Sequence, residues 1–165
     1  MLKASRDMAR LHPVVREKVT LIVDQLIKEG IPLAVFEAVR TPQRQAVLFA
    51  KGRTAPGPKV TWSQPWQSYH QYGLAVDLVI HDSDGWSWDD SGANARHWAR
   101  MHQIAATHGM TALFNRRGRL IEKPHIQLRG LSIRELFAGH YPDGGDAEWA
   151  DALSDMIDST SGGPP

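Results

Sequence analysis

The run LAVDLVI, Leu74 to Ile80, sets one aspartate among apolar residues, and it is the segment that most restricts how this chain can fold. So apolar a run reads as a strand packed into a core. Alternation places Leu74, Val76, Leu78 and Ile80 on one face and Ala75, Asp77 and Val79 on the other. The first face is core. Asp77 therefore points into a pocket of small residues, where a carboxylate needs a cation or hydrogen-bond donors to offset its lost hydration. His70 stands seven positions earlier, an odd separation that would aim it oppositely on one straight strand. Gly73 lies between them and permits a bend that brings both side chains onto one centre. A metal ion satisfies both residues. A plain hydrogen bond between His70 and Asp77 that supports a turn does so too.

A third donor stands in EKPHIQL. If Ile126 and Leu128 face the core, His125 and Gln127 share the other face. Two histidines and a carboxylate with an open position make a catalytic zinc set. Glu122 lies three residues before His125, and Pro124 forces Lys123 to be extended between them. A carboxylate beside an activated water can act as general base; taken alone, Glu122 reads equally as a surface acid near Lys123. His81 is the one rival ligand. His97, His102 and His108 fall on a predicted helix and read as packing or surface residues.

The rest of the chain supplies a mixed frame. Residues 12–30 predict a helix, with Pro13 near its start, Gly30 past its end, and Val15, Val19, Ile22, Leu26 and Ile27 on one face. Residues 31–39 predict a buried strand. Residues 41–52 predict a short helix with Thr41 as N-cap, Pro42 next and Gly52 as terminator. Residues 53–67 and 81–92 read as loops, 93–109 as a helix, and 111–128 as a hairpin. Residues 132–139 predict a helix opened by a capping box of Ser132 and Glu135. Helices and strands mix without a regular βαβ rhythm, which predicts an α+β fold: a small antiparallel sheet with helices packed on it and the metal site on the sheet.

Composition narrows the setting. The chain has 165 residues, no cysteine, and no apolar stretch approaching a membrane span. Its start lacks the apolar segment of a signal peptide. The formal net charge of +1 hides an asymmetry. Residues 141–165 carry six acids and no Lys or Arg, leaving 19 bases and 12 acids in the first 140, a net of +7. A basic body suits an anionic partner such as a cell-wall polymer, but no nucleic-acid motif is present. The division expected is a domain over 1–140 and an acidic tail over 141–165, with one or two amphipathic turns and a disordered STSGGPP. Truncation after Tyr141 should then be tolerated.

These segments carry a resemblance. SYHQYGLAVD matches the S-x-H-x-x-G-x-A-x-D signature of the LAS-type zinc peptidases that cut peptidoglycan peptides, and EKPH matches their second motif, E/D-x-x-H. VRTPQRQAVLFAKGRT resembles their R-[ST]-x-x-x-Q-x-x-L-[FY]-x-x-G-R-T segment. GPKVTWSQPWQSYHQYG looks most like the L-alanyl-D-glutamate endopeptidases of phage lysins, although TALFNRRGRL replaces that branch's Trp-Gly-Gly-type stretch. The resemblance spans residues 10 to 137. It implies zinc on His70, Asp77 and His125, Glu122 as catalytic base, and Arg40 binding substrate and stabilising the oxyanion. Ser68 is a candidate substrate contact or turn cap, and Gln45 a structural hydrogen-bonder. Trp62, Trp66, Trp86 and Trp88 are expected to line a groove for peptide or glycan.

The implied function is zinc-dependent hydrolysis of peptidoglycan stem peptides between L-Ala and D-Glu, by a monomer made in the cytoplasm without a signal peptide and acting at the wall after phage-type release. The alternatives are a D-alanyl-D-alanine carboxypeptidase or dipeptidase on the same scaffold, and a non-enzymatic zinc-containing binder such as the animal Hedgehog signalling domain. The 25 tail residues are too few for a wall-binding domain.

Overall fold

A computed structural model describes residues 3–160. The predicted first helix, α1, runs Pro13–Lys28 and buries Val15, Val19, Ile22 and Leu26. Ile27 departs from expectation: at 66 % exposure it has rotated one residue off that stripe. Strand β1 (Leu33–Glu37) leads to α2 (Pro42–Ala50), where the Thr41 side chain accepts from Arg44 N as the predicted cap. A short 3-10 turn, Tyr69–Tyr72, precedes β2 (Ala75–Asp82). The expected loop after β2 is in part a hairpin. Asp82 pairs with Gly85 across the two-residue turn Ser83-Asp84, giving β3 (Gly85–Ser87), and Gly85 takes the positive φ of 104° that follows the turn. Helix α3 (Gly92–Thr107) and the hairpin β4 (Met110–Phe114) and β5 (Leu120–Leu128) follow. Helix α4 (Ile133–Phe137) carries the predicted capping box of Ser132 and Glu135.

The fold is the expected α+β arrangement. The sheet is antiparallel, in the order β1-β2-β5-β4, with β3 on the far end of β2. The buried side of β2 packs with α1 and α3 residues into one core that includes Val19, Ile22, Leu78, Trp98 and Met101. The pairing fixes where chemistry can occur. Asp77 stands opposite Glu37 of β1 on one side and His125 of β5 on the other. Cross-strand partners lie on the same face, so three polar residues form one row across three strands.

The acidic tail is not a separate appendage. Residues 147–158 form a three-turn helix, α5 (Ala147–Asp158), that buries Trp149, Ala152, Leu153 and Met156. Its acids Glu148, Asp151, Asp155 and Asp158 all lie on the exposed side. The acid count had obscured an ordinary apolar stripe. Trp149 donates from Nε1 to Tyr72 O at 2.9 Å, and its ring meets His12 edge-on at 4.7 Å. Asp146 caps the helix and pairs with Arg16 at 2.9 Å. The chain beneath must be glycine: Gly73 has φ +67°, and a Cβ there would stand 3.0 Å from Trp149 Cδ1. Apart from Ser159 and Thr160, the stretch expected to be disordered lies outside the described residues.

This packing reverses the expectation for truncation. Trp149→Ala should cost about 3 kcal/mol, the usual scale for emptying a buried aromatic site, and deleting residues 142–165 should cost at least as much. Chemical denaturation monitored by circular dichroism checks this. An unchanged unfolding midpoint in the truncated chain would restore the picture of a dispensable tail.

Candidate metal centre and its cleft

Each donor is aimed by a nearby backbone constraint. Gly73, left-handed, turns the chain between the His70 turn and β2, so both His70 and Asp77 reach the same side. The β2–β5 register delivers His125 beside Asp77. His70 Nε2 lies 3.1 Å from Asp77 Oδ1, His125 Nδ1 lies 3.2 Å from His70 Nε2, and His125 Nδ1 lies 3.3 Å from Asp77 Oδ1. Among the described residues this is the one group of three such side chains with converging donor atoms.

The second nitrogen of each ring decides what the triangle can hold. His70 Nδ1 stands 2.7 Å from Ala38 O, and a carbonyl can only accept, so Nδ1 carries the proton and Nε2 presents a lone pair. His125 Nε2 donates to Gln127 Oε1 at 2.9 Å, which leaves Nδ1 as the lone pair. Two nitrogen lone pairs and a carboxylate oxygen thus face one another with no proton to share. A divalent cation resolves that repulsion. A tetrahedral zinc site, with bonds near 2.0–2.1 Å, has donor-to-donor edges of roughly 3.3–3.5 Å, close to the observed triangle. The residues fit a metal ion, and their outer partners Ala38 and Gln127 fix the ring tautomers as supporting groups of metal sites do.

Asp77 divides its oxygens. Oδ1 faces the histidines, and Oδ2 accepts from Arg40 Nη2 at 2.6 Å. Burial works to raise its pKa, but its neighbours His70, Arg40 and His125, with the Arg40 guanidinium directly on Oδ2, outweigh it and hold the carboxyl well below its ordinary range. Arg40, named from the resemblance as a substrate and oxyanion contact, is itself tied into the site. It is buried, and it also donates through Nε to Glu37 Oε2 at 2.9 Å and through Nη1 to Gln45 Oε1 at 3.1 Å. Glu37 in turn binds Arg44. Gln45 is the structural hydrogen-bonder expected, donating onward to Ser63 O at 2.7 Å. Sequence reading assigned no role to Glu37 or Gln127. Strand alternation from Asp77 and His125 was the available signal for Gln127; Glu37 needed the register.

The row opens on a cleft of two lobes, about 610 and 350 Å³, that meet at Arg40 and Glu122. Asp77 borders the larger lobe and His125 the smaller. Glu122 makes no hydrogen bond or ion pair among the described residues. Burial, with Asp77 adding to it against His125 and Arg40, pushes its carboxyl pKa up. An unengaged carboxyl with a raised pKa at the junction is suited to exchanging protons.

The remaining candidates separate clearly. His81 is exposed and stacks on Trp86 at 4.2 Å, away from the triangle. His102 bonds Lys123 O at 2.8 Å and supports β5. Ser68 Oγ caps the His70 turn while its residue borders the smaller lobe. Trp66, expected beside substrate, is 3 % exposed and packs on Tyr72; it lines neither lobe of the cleft and borders instead a smaller neighbouring pocket with Gln67, Ile133 and Phe137. Of the four loop tryptophans, Trp88 lines the cleft; Trp62 is exposed and pairs with Arg53 and Lys59, and Trp86 packs on Phe36.

Comparison with known proteins identifies relatives of this chain. The family model described as VanY, D-alanyl-D-alanine carboxypeptidase, matches residues 8–128. Over 104 residues the chain is 33 % identical to the peptidoglycan L-alanyl-D-glutamate endopeptidase CwlK of Bacillus subtilis (strain 168); the match takes in 60 % of this chain and 62 % of that protein, so less than two thirds of the relative's length is spanned. Solved structures share the fold. The LdcB LD-carboxypeptidase superposes with a TM-score of 0.58 at 19 % identity, covering 83 % of this chain and 74 % of that one. The L-Ala D-Glu endopeptidase ChiX of Serratia marcescens gives 0.53 at 22 %, covering 81 % and 90 %. A mutant of the D,D-pentapeptidase VanY in complex with Zn(II) gives 0.56 at 16 %, covering 93 % and 89 %.

Proposed function

Because the chain belongs to the VanY D-alanyl-D-alanine carboxypeptidase family, we propose that it is a zinc metallopeptidase that hydrolyses peptidoglycan stem peptides between L-Ala and D-Glu. The observation that carries the chemistry is the triangle of unprotonated donors His70 Nε2, Asp77 Oδ1 and His125 Nδ1 beside the unengaged carboxyl of Glu122. The choice of bond leans on CwlK, which shares 33 % of aligned residues. A zinc ion held there supplies Lewis acidity toward a water molecule and the scissile carbonyl.

The chain's own residues do the rest. Glu122 accepts the proton of the attacking water and passes it to the leaving amine. His70 and His125 stay neutral at their facing nitrogens because Ala38 O and Gln127 Oε1 hold the ring protons outward. Arg40 was expected to meet the oxyanion directly. Its guanidinium spends Nε, one Nη1 proton and Nη2 on Glu37, Gln45 and Asp77, which leaves a single Nη1 proton for substrate. Its main part is to hold Oδ2 so that Oδ1 faces the histidines.

The D-alanyl-D-alanine carboxypeptidase reading stays as the second possibility, favoured by the family model itself. The non-enzymatic reading is disfavoured by the unengaged Glu122. Mass spectrometry of peptidoglycan fragments after digestion by the zinc-loaded protein distinguishes the three. New L-Ala carboxyl and D-Glu amino ends are expected. Release of terminal D-Ala alone would move the assignment to the carboxypeptidase, and intact muropeptides would leave a binder. No helix among the described residues is long and apolar enough to cross a membrane.

A further inference from the structure

The two lobes differ in charge. The smaller presents neutral polar side chains, such as Thr61, Ser63, Gln67 and Ser132, apart from site residues. The larger adds Arg44, Lys51 and Lys123 to walls that include Phe36 and Trp88. Most of that charge is already met: Arg44 and Arg40 bind Glu37, Arg40 also binds Asp77, and Lys123 binds Asp90. Lys51 has no acidic partner among the described residues. Its backbone is held in place one residue past α2 by a bridge to Ala55 and the left-handed Gly52. A lone ammonium on a cleft wall is a place for an anion.

Resting on the endopeptidase reading, we propose that the larger lobe seats the leaving-amine half of the stem peptide and that the Lys51 ammonium binds a carboxylate of that half. The substrate's chemistry gives the match. When the bond between L-Ala and D-Glu breaks, the D-Glu nitrogen leaves. Its α-carboxylate is free because the peptide continues through the γ-carboxyl, and a further carboxylate ends the peptide. The L-Ala half brings no such charge and fits the neutral lobe. A lysine at this position also complements the α2 dipole. That role alone would alter stability and leave substrate preference untouched.

The test uses zinc-loaded wild-type protein and Lys51→Met, which keeps the length of the stem. Three synthetic stem peptides are compared: the free acid, one with the D-Glu α-carboxylate as its amide, and one with the C-terminal carboxylate as its amide. Binding of the matching leaving-half peptides is measured in parallel by calorimetry. In the wild type, amidation at one of the two positions should raise KM about fivefold with kcat steady, the scale of one partly exposed ion pair. That position identifies the carboxylate. The effect should shrink in high salt. Lys51→Met should treat acid and amide alike. Full discrimination retained in Lys51→Met, or no effect of either amidation on the wild type, overturns the proposal. Failure of the wild type to cut any of the peptides would defeat the endopeptidase reading instead, and the leaving-half affinities would then decide the subsite by the same criterion.

Discussion

His70→Ala, Asp77→Ala and His125→Ala should each purify without stoichiometric zinc and without peptidase activity, while wild-type protein dialysed against the metal carries one zinc per chain. The lone-pair triangle sets this outcome. With its ring protons held outward by Ala38 O and Gln127 Oε1, the site has nothing but a cation to offset three converging donors. Zinc binding to a protein site is worth on the order of 10–16 kcal/mol. Loss of one donor should therefore weaken binding by a factor of several hundred or more. Metal content by atomic absorption after dialysis checks it. The same triangle predicts that zinc raises the wild-type melting temperature, since the ion binds the folded state and relieves the repulsion there, and that the three variants show no such rise. Full zinc occupancy in any one of them would remove that residue from the ligand set.

How far the sequence discloses this site depends on whether the signal is local. LAVDLVI shows its strand, its core face and its odd aspartate within seven residues. Gly73 shows the bend that lets His70 join, and IQL shows the face of His125. All of these rest on periodicity or on a glycine's freedom, which neighbouring residues alone determine. Register is different. That Glu37, Asp77 and His125 form one row follows from pairing among strands that are distant in sequence, and a one-residue slip would turn each side chain to the other face. Without the row, Glu37 is an unremarked acid in a strand and Arg40 a candidate oxyanion contact with no visible partner. With it, Arg40 is the buried cation that both carboxylates require. Burial of aromatics is equally non-local: Trp62 and Trp66 lie in the same loop, yet Trp62 is 66 % exposed and Trp66 is enclosed against Tyr72. The tail failed for another reason. Its acids dominated a composition count, while WADALSDM carried the apolar spacing of a docked helix.

Glu122→Gln should keep its zinc and its affinity for stem peptides and lose turnover by about 100-fold or more, the scale of a general base removed. The amide preserves size and hydrogen bonding but cannot take the proton of the attacking water. Glu122 suits this role because it has no partner among the described residues and stands where the two lobes meet, beside Arg40. Arg40→Ala gives the contrast. Its loss leaves Asp77 Oδ2 and Glu37 without their shared donor, so zinc affinity should fall by roughly 10- to 100-fold, the range for supporting partners of metal ligands, and turnover should fall with it. Zinc content and cleavage of one defined muropeptide, measured on both proteins, separate a residue that moves protons from one that holds a ligand in place. Loss of metal in Glu122→Gln would make Glu122 a fourth ligand and undo the three-donor site. Near-normal turnover would pass the proton to another group, and His81, exposed and stacked on Trp86 away from the triangle, is poorly placed to receive it. Arg40→Ala that keeps full zinc affinity while losing turnover would return the guanidinium to the oxyanion through its remaining Nη1 proton.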